Sequence, residues 1–331
     1  MTQPRALCGR APHFTGAVFK AILPHVLRRH VLIFHQGALG DFVLTWPLAM
    51  ALSRVFPQSR IAYVTASQKG ALAERVLRIE SADVESGWHQ LFSDAPKLPE
   101  PAAKLLAGAH SVFTFVAGEQ GIWAKNVIAL EPQARVVRLE PRPPKDYKGH
   151  FTDFLVEQLG NLPALQAATG AMLRTIAERG ITTGSPRHDH IVIHPGSGGE
   201  HKCWPRERFI ELIERLREGG RAVRVILGEA ELERWPRAQV SKLETLADVV
   251  RPATLLELFD HLATASAAVM NDSGPAHLAA VTGTRTVALF GPSNSTIWRP
   301  IGPNVSVIRR DSIEAIEPQE VYDKLTELGR G

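Results

Sequence analysis

Three segments of the sequence place glycines and polar side chains directly after apolar runs. Residues 37–41 read Gly-Ala-Leu-Gly-Asp, residues 196–205 read GSGGEHKCWP, and residues 271–277 read NDSGPAH. Parallel sheets bind ligands in the crevice at the carboxyl ends of their strands. We therefore expect these three segments to carry the chemistry of the protein.

The first segment offers one carboxylate at a strand-to-helix turn. Its spacing is neither the G-x-G-x-x-G dinucleotide fingerprint nor a P-loop, because no Gly-Lys-Ser/Thr follows. Asp41 is suited to act as a general base toward a hydroxyl group. Gly37 and Gly40 would let a substrate approach the backbone on that side. The alternative is that Asp41 only caps the helix and faces its positive end.

The second segment combines free backbone N–H groups with a cation. Glycines and Ser197 after a strand form an anion nest, in which Gly198 lies at the centre. Lys202 follows at the end of the same loop. A nest beside a flexible cation suits a diphosphate, and a departing diphosphate needs it most. The alternative for Lys202 is an ordinary exposed loop lysine.

The third segment predicts the start of a helix after the apolar run AAVM. Asp272 or Ser273 is a suitable N-cap, and Pro275 fits the first turn. The N–H groups around Gly274 would then bind a phosphate through partial charge and geometry together. The alternative is a capped, buried helix without a ligand.

The elements that must position these segments alternate between apolar strands and helical stretches. Strands are predicted at 31–35, 60–65, 111–118, 135–140, 190–194, 221–228, 267–270 and 286–291. This alternation is typical of βαβ units in parallel sheets. It predicts an α/β protein with two Rossmann-like, doubly wound domains that face each other across a cleft. We expect an extension at 1–30, one domain at 31–184 and a second at 185–331, with a C-terminal helix at about 313–329.

Composition narrows the class of protein. The 331 residues carry 38 Lys+Arg and 34 Asp+Glu, a net charge of +4 that is too small and scattered to indicate nucleic acid. Two cysteines, Cys8 and Cys203, cannot form a disulfide framework and favour a reducing cytoplasm. No apolar run is long enough to span a membrane. No Asp-x-Asp pair is present to hold a metal-bridged diphosphate.

Taken together, four segments resemble the bacterial heptosyltransferase family, glycosyltransferase family 9. They are GALGDFVLTWP, HPGSGGEHKCWP, NDSGPAHLAAVTGT and ALFGPSNSTIWRPIG, and the resemblance runs from about residue 31 to 307. It implies a GT-B fold and the transfer of heptose from an ADP-sugar to the inner core of lipopolysaccharide. It also implies inversion at the sugar carbon, with no metal and no other cofactor.

The resemblance assigns roles to individual residues. Asp41 matches the catalytic base, and Lys202 matches a lysine that contacts the donor phosphate. The start of the donor-binding helix is matched by Asp272, Ser273, Gly274 and His277, and the acid near the ribose by Glu229. Two departures stand out: His35 and Gln36 occupy a place where the family often has a basic residue, and Cys203 stands where Arg or His is usual.

Partners and location follow from the same resemblance. They are a nucleotide-sugar donor, a lipid-linked or lipopolysaccharide core acceptor and no nucleic acid, in the cytoplasm. Residues 1–30 are basic and either lie on the cytoplasmic face of the inner membrane as a weak amphipathic anchor or form a tail. Two other functions stay open: a glycosyltransferase for another nucleotide-sugar or acceptor, and a non-catalytic subunit that binds a sugar nucleotide.

Overall fold

The computed structural model describes residues 30–116, 121–181 and 187–327, and in them eleven strands form two parallel sheets. The strands are β1 (His30–Phe34), β2 (Arg60–Thr65), β3 (Glu80–Asp83), β4 (Ala109–Thr114), β5 (Arg135–Arg138), β6 (His190–His194), β7 (Ala222–Ile226), β8 (Asp248–Val250), β9 (Ala267–Asn271), β10 (Arg285–Phe290) and β11 (Val305–Arg309). The first sheet has the order β3-β2-β1-β4-β5 and the second the order β11-β10-β9-β6-β7-β8.

Helices connect the strands and cover both sheets. They are α1 (Leu39–Leu44), α2 (Trp46–Val55), α3 (Ser67–Leu72), α4 (Glu100–Leu106), α5 (Ile122–Leu130), α6 (Phe151–Glu157), α7 (Pro163–Arg179), α8 (Arg206–Glu218), α9 (Glu229–Arg234), α10 (Arg237–Leu246), α11 (Leu255–Thr264), α12 (Gly274–Val281), α13 (Ser295–Trp298) and α14 (Pro318–Glu327).

Each sheet reverses its strand order at one point, and the candidate segments lie there. In the first sheet the reversal is between β1 and β4, and residues 37–41 follow β1. In the second it is between β6 and β9, and residues 196–205 and 271–277 follow those two strands. Ligands of doubly wound sheets bind at such switch points. The topology therefore brings all three segments to the places where a ligand is expected.

Prolines account for two helix boundaries. Pro47 lies in the first turn of α2, and α1 ends just before it at Leu44. Pro236 likewise separates α9 from α10. Helix α3 is followed directly by a π-helical turn over Ala73–Leu77.

Two helix pairs join the halves of the molecule. Helix α1 packs on α12, and α3 packs on α11, so helices of the first sheet contact helices of the second. Helix α7 packs on α2, whereas the C-terminal helix α14 packs on α8. Residues 1–29 of the predicted extension at 1–30 and the residues 182–186 at the predicted domain boundary lie outside the described residues, and His30 is the first residue of β1. Among the helices that the structure describes, none is long and apolar enough to cross a membrane.

Candidate active site

A cavity of about 490 Å³ lies between the two halves and collects most of the predicted site residues. Its lining comprises Ala38, Leu39, Gly40, Asp41, Arg142, Ser197, Gly198, Lys202, Asp272, Ser273, Gly274, Pro275, His277 and Trp298. Of the predicted residues, Gly37 lies directly behind this wall, and Glu229 does not reach it. The cavity thus has a carboxylate on one side and a lysine beside a helix start on the other.

Asp41 lies half-buried in the first turn of α1 and lines the cavity. It is the third residue of α1, close to the backbone N–H of Ala38, the residue that precedes the helix. Partial burial raises the pKa of Asp41 above its ordinary value, while the Ala38 N–H and the charges of Arg142, Lys202 and Lys69 lower it. A carboxylate with a raised pKa is a stronger base than a solvent-exposed one.

The two glycines of this loop permit close approaches. A Cβ at Gly37 would lie 3.2 Å from Oδ2 of Asp41, so the backbone of Gly37 rests on the carboxylate. A Cβ at Gly40 would lie 2.9 Å from Cδ2 of His277 on α12. The sequence predicted room for a substrate here; the structure shows that the Gly40 space holds the contact between α1 and α12.

The opposite wall is built by hydrogen bonds between the loops after β6 and β9. Ser197 Oγ donates to the Asp272 carbonyl at 2.7 Å, and Lys202 Nζ lies 2.8 Å from Asp272 Oδ2. Asn271 accepts from the Trp204 N–H at 3.0 Å and donates to the Pro195 carbonyl at 2.6 Å. The lysine is therefore held by a carboxylate that is only 8% exposed, over a loop that is itself fixed.

The start of α12 is ready to accept a polar partner. Ser273 is the N-cap in an extended conformation, and its buried Oγ has no hydrogen-bond partner within the described residues. Gly274 packs against Leu39, where a Cβ would come within 2.6 Å. Gly198 opposite faces open space, with nothing within 4 Å of a built Cβ. Ser273 and Gly274 line the cavity at the N-terminus of α12, the end of a helix that suits phosphate oxygens.

His277 is neutral at physiological pH because of its burial. Burial lowers its pKa to about 4, and the nearby Asp272 carboxylate only partly opposes this shift. Its Nδ1 is buried and has no partner among the described residues. The ring is therefore a neutral group near the start of the helix rather than a cation.

A second cavity of about 260 Å³ adjoins the first beyond Gly196 and contains a different glutamate from the predicted one. Glu231 lines it and is 7% exposed, whereas Glu229 is exposed at the start of α9 and lines neither cavity. The Glu231 carboxylate accepts from the Gly228 N–H at 2.8 Å. A Cβ at Gly196 would collide with this carboxylate, so only glycine fits there. The spacing Gly-x-x-Glu, a helix N-cap followed by an acid at the third position, was the signal for it.

Two further residues of the cavity were missed by the sequence analysis. Arg142 is exposed and lines the cavity near Asp41, although it belongs to the proline-rich segment after β5. Trp298 stacks on Phe151 with ring centroids 5.4 Å apart and closes the wall beside His277. Nothing in the local pattern of either segment indicates a site. In the described part of the chain, no group of three or more His, Cys, Asp or Glu residues could hold a metal ion.

Comparison with known proteins gives a family match. Residues 149–326 match the model of glycosyltransferase family 9 (heptosyltransferase). The chain is 30% identical to lipopolysaccharide heptosyltransferase 1 of Pseudomonas aeruginosa over 289 residues, 80% of this chain and 79% of that protein. It is 25% identical to lipopolysaccharide heptosyltransferase 3 of Escherichia coli over 202 residues, 56% of this chain and 53% of that protein. The match therefore spans about half the length of the E. coli relative.

Solved structures agree on the architecture. The E. coli ADP-heptose lipopolysaccharide heptosyltransferase II superposes with a TM-score of 0.64 at 18% identity, covering 90% of this chain and 98% of that one. An E. coli heptosyltransferase solved with ADP gives a TM-score of 0.65 at 18% identity, covering 90% and 99%. The expected α/β fold of the GT-B type, with two facing parallel sheets, is confirmed.

Proposed function

The chain belongs to glycosyltransferase family 9, the heptosyltransferase family, and we propose that it moves a heptose from ADP-heptose to an inner-core lipopolysaccharide acceptor. The proposed transfer inverts the sugar carbon and uses no metal ion. One observation carries this proposal: the cavity holds Asp41 on one wall and Lys202 with the start of α12 on the other. The sugar, the nucleotide and the acceptor class are those of the similar lipopolysaccharide heptosyltransferases.

On the donor side, the diphosphate would lie against Lys202, the backbone at Gly198 and the hydroxyl of Ser273. The Ser273 Oγ has no hydrogen-bond partner within the described residues, and Gly198 lines the cavity with open space beside it. Lys202 stays close to Asp272 until an anionic ligand competes for it. Charge-assisted hydrogen bonds of this kind are about twice as strong as neutral ones.

The nucleoside would occupy the adjoining cavity. Glu231 is a buried carboxylate there and can accept hydrogen bonds from two ribose hydroxyls. Trp235 and the stacked Arg206, whose guanidinium lies 5.7 Å from the indole centroid, form the far wall. We propose Glu231, rather than the exposed Glu229, as the ribose contact.

On the acceptor side, Asp41 would take the proton of the attacking hydroxyl. The acceptor oxygen bonds to the anomeric carbon from the face opposite the diphosphate, and the bond from that carbon to the phosphate oxygen breaks. The electron pair leaves with ADP, whose new charge lies beside Lys202. Back-side displacement at one carbon inverts its configuration, which is the reason for proposing an inverting reaction.

The proposed setting is the cytoplasm, with a lipid-linked acceptor at the inner membrane. Residues 1–29, which would contain a membrane anchor, lie outside the described residues. Co-sedimentation with anionic vesicles, compared between the full chain and a variant that begins at His30, tests this part. Equal partitioning of the two proteins would contradict a role of the N-terminal segment in binding membranes.

Paired variants test the reaction. Asp41→Asn should bind ADP normally but lose about 10²–10⁴ of the transfer rate, the typical value of a general base. Lys202→Met should weaken ADP binding itself. Calorimetry measures the affinities, and mass spectrometry of a defined inner-core acceptor, with and without EDTA, measures transfer. Normal transfer by Asp41→Asn would refute the base assignment, and loss of transfer in EDTA would refute metal independence.

Donor identity is tested separately. ADP should raise the unfolding temperature more than UDP at equal concentration, because the ligand with the lower Kd stabilises the native state more. The reverse order would favour another nucleotide-sugar. Binding of ADP-heptose with no product from any core acceptor would favour the non-catalytic subunit.

A further inference from the structure

Helix α3 contacts the second half of the molecule through its own side chains. The Gln68 side-chain carbonyl accepts a hydrogen bond from the Leu255 N–H, the first residue of α11, at 2.8 Å. In the π-helical turn that continues α3, Arg75 pairs with Asp260 of α11 at 3.0 Å. Two contacts, one at each end of this segment, therefore fix α3 to a helix of the second sheet.

The residue between these two contacts points to a different partner. Lys69 Nζ donates to the carbonyl of Gly37 at 2.6 Å and lies 6.0 Å from the centroid of the Phe42 ring. Its side chain is half-buried, which fixes the ammonium over the loop. Gly37 is the residue whose backbone rests on the carboxylate of Asp41. Lys69 thus holds the peptide unit that supports the proposed base.

We propose that Lys69 is a positioning residue that ties the contact between α3 and α11 to the placement and charge of Asp41. This inference rests on the proposed function, because it assigns Lys69 a role toward the base of that reaction. Gln68 and Arg75 set the position of α3 and its π-helical continuation on the second half, and Lys69, the neighbour of Gln68, donates to the Gly37 carbonyl. In this proposal, the loop that carries Asp41 is correctly placed only when α3 packs against α11.

The positive charge of Lys69 has a second effect on Asp41, in addition to the hydrogen bond that holds Gly37. The groups that face Asp41 are Lys69 from α3, Arg142 after β5 and Lys202 after β6. The two histidines nearest this loop are neutral, because burial lowers the pKa of His277 to about 4 and that of His35 to about 3.

Lys69 is consequently one of three cations that favour the ionised form of Asp41. Its removal shifts the protonation of the base toward higher pH, since an opposite charge nearby lowers a carboxyl pKa.

The test compares Lys69→Met with Lys69→Arg and with Lys104→Met. Lys104 is an exposed lysine of α4 that pairs with Glu100 and lies far along the chain from the site, so its variant is the matched control. The readouts are kcat, acceptor KM and the pH profile of kcat, together with ADP affinity and the unfolding temperature.

Lys69→Met should lower kcat about tenfold or more. It should also move the acidic limb of the pH profile of kcat to higher pH by about half a pH unit or more, and leave the ADP affinity unchanged. Lys69→Arg should return the limb toward its original position, and Lys104→Met should match the unmodified protein. A normal kcat for Lys69→Met would overturn the proposal. So would a lower kcat with an unmoved acidic limb, because a purely structural role predicts that result.

A double-mutant cycle tests the connection to α11. The pair Gln68→Ala and Arg75→Ala should lower kcat, and adding Lys69→Met should lower it by less than the product of the separate effects. Fully multiplicative effects would refute the coupling. If Asp41→Asn retains transfer, the proposed function fails; if Asp41→Asn is inactive while Lys69→Met is normal, only this inference fails.

Discussion

The substitution Gly40→Ala tests whether the contact between α1 and α12 sets the position of the base. The added Cβ would lie 2.9 Å from Cδ2 and 3.1 Å from Nε2 of His277, whereas ordinary contacts begin at 3.4 Å. His277 is 4% exposed and cannot swing aside, so the two helices must separate by roughly 0.5 to 1 Å. Asp41 is the next residue and moves with Gly40.

The expected loss follows from this displacement. A misplacement of about 1 Å at a reacting group lowers the rate about 10²-fold, so kcat should fall by about 10- to 100-fold. Overpacking should lower the free energy of unfolding by about 1–3 kcal/mol, and the better helix propensity of alanine offsets about 1 kcal/mol of that loss. ADP affinity should change little, because the proposed phosphate contacts all come from the second half.

The assay is steady-state transfer with ADP calorimetry and urea unfolding on the same samples. Gly170→Ala is the matched control, since it lies in α7 and its Cβ would meet nothing closer than Arg174 Nη1 at 3.6 Å. That variant should keep full activity and gain up to about 1 kcal/mol of stability. A Gly40→Ala protein with unchanged kcat would refute the argument that this contact positions Asp41.

Two other predictions concern the nucleoside cavity and acid stability. Glu231→Gln should weaken ADP binding about tenfold or more, and Glu229→Gln should leave it unchanged; equal effects in calorimetry would remove Glu231 from the site. Burial lowers the pKa of His35 to about 3 and those of His150 and His277 to about 4, far below the 6.5 of an unfolded histidine. Between about pH 6.5 and 4 the unfolded chain binds more protons, so stability falls as pH falls, by up to about 1.4 kcal/mol per unit for each histidine. Urea unfolding at pH 7 and pH 5 measures this loss, and equal free energies at the two pH values would contradict it.

Most of the strands that the sequence predicted are buried ones; the exception is β5, an edge strand with exposed and half-exposed positions. Val31–Phe34 and Ile191–His194 are continuous apolar or nearly apolar runs inside parallel sheets, and their burial makes the pattern strong. The strands at 80–83, 248–250 and 305–309 were missed. All three lie at the edges of their sheets and keep half-exposed positions. The strands of 4 residues (80–83) and 3 residues (248–250) are too short for a periodic pattern, whereas Val305, Ser306 and Val307 alternate and the sequence analysis missed that signal.

The sequence predicted those site residues that belong to a segment with a recognisable pattern. Asp41, Lys202 and Ser273 each lie in a segment that follows a buried strand and contains glycine, and the topology then gathers them in one cavity. Arg142 and Trp298 gave no local signal, because they reach the cavity only through the packing of distant segments. The sequence could also not distinguish Glu229 from Glu231. Both are acids in the first turn of α9, and only their burial in the structure separates them.

The role of glycine at the site could also not be read from the loop alone. A glycine beside a proposed base suggests space for a substrate, yet Gly40 and Gly274 both fill their space with side chains of the opposite half, His277 and Leu39. The two contacts are reciprocal: Gly40 of α1 packs against His277 of α12, and Gly274 of α12 packs against Leu39 of α1. Side chains at both positions would hold the helices apart and move the base away from the start of α12. The two glycines therefore set the distance between the two walls of the cavity. An in-line transfer between two bound substrates requires this distance to be fixed.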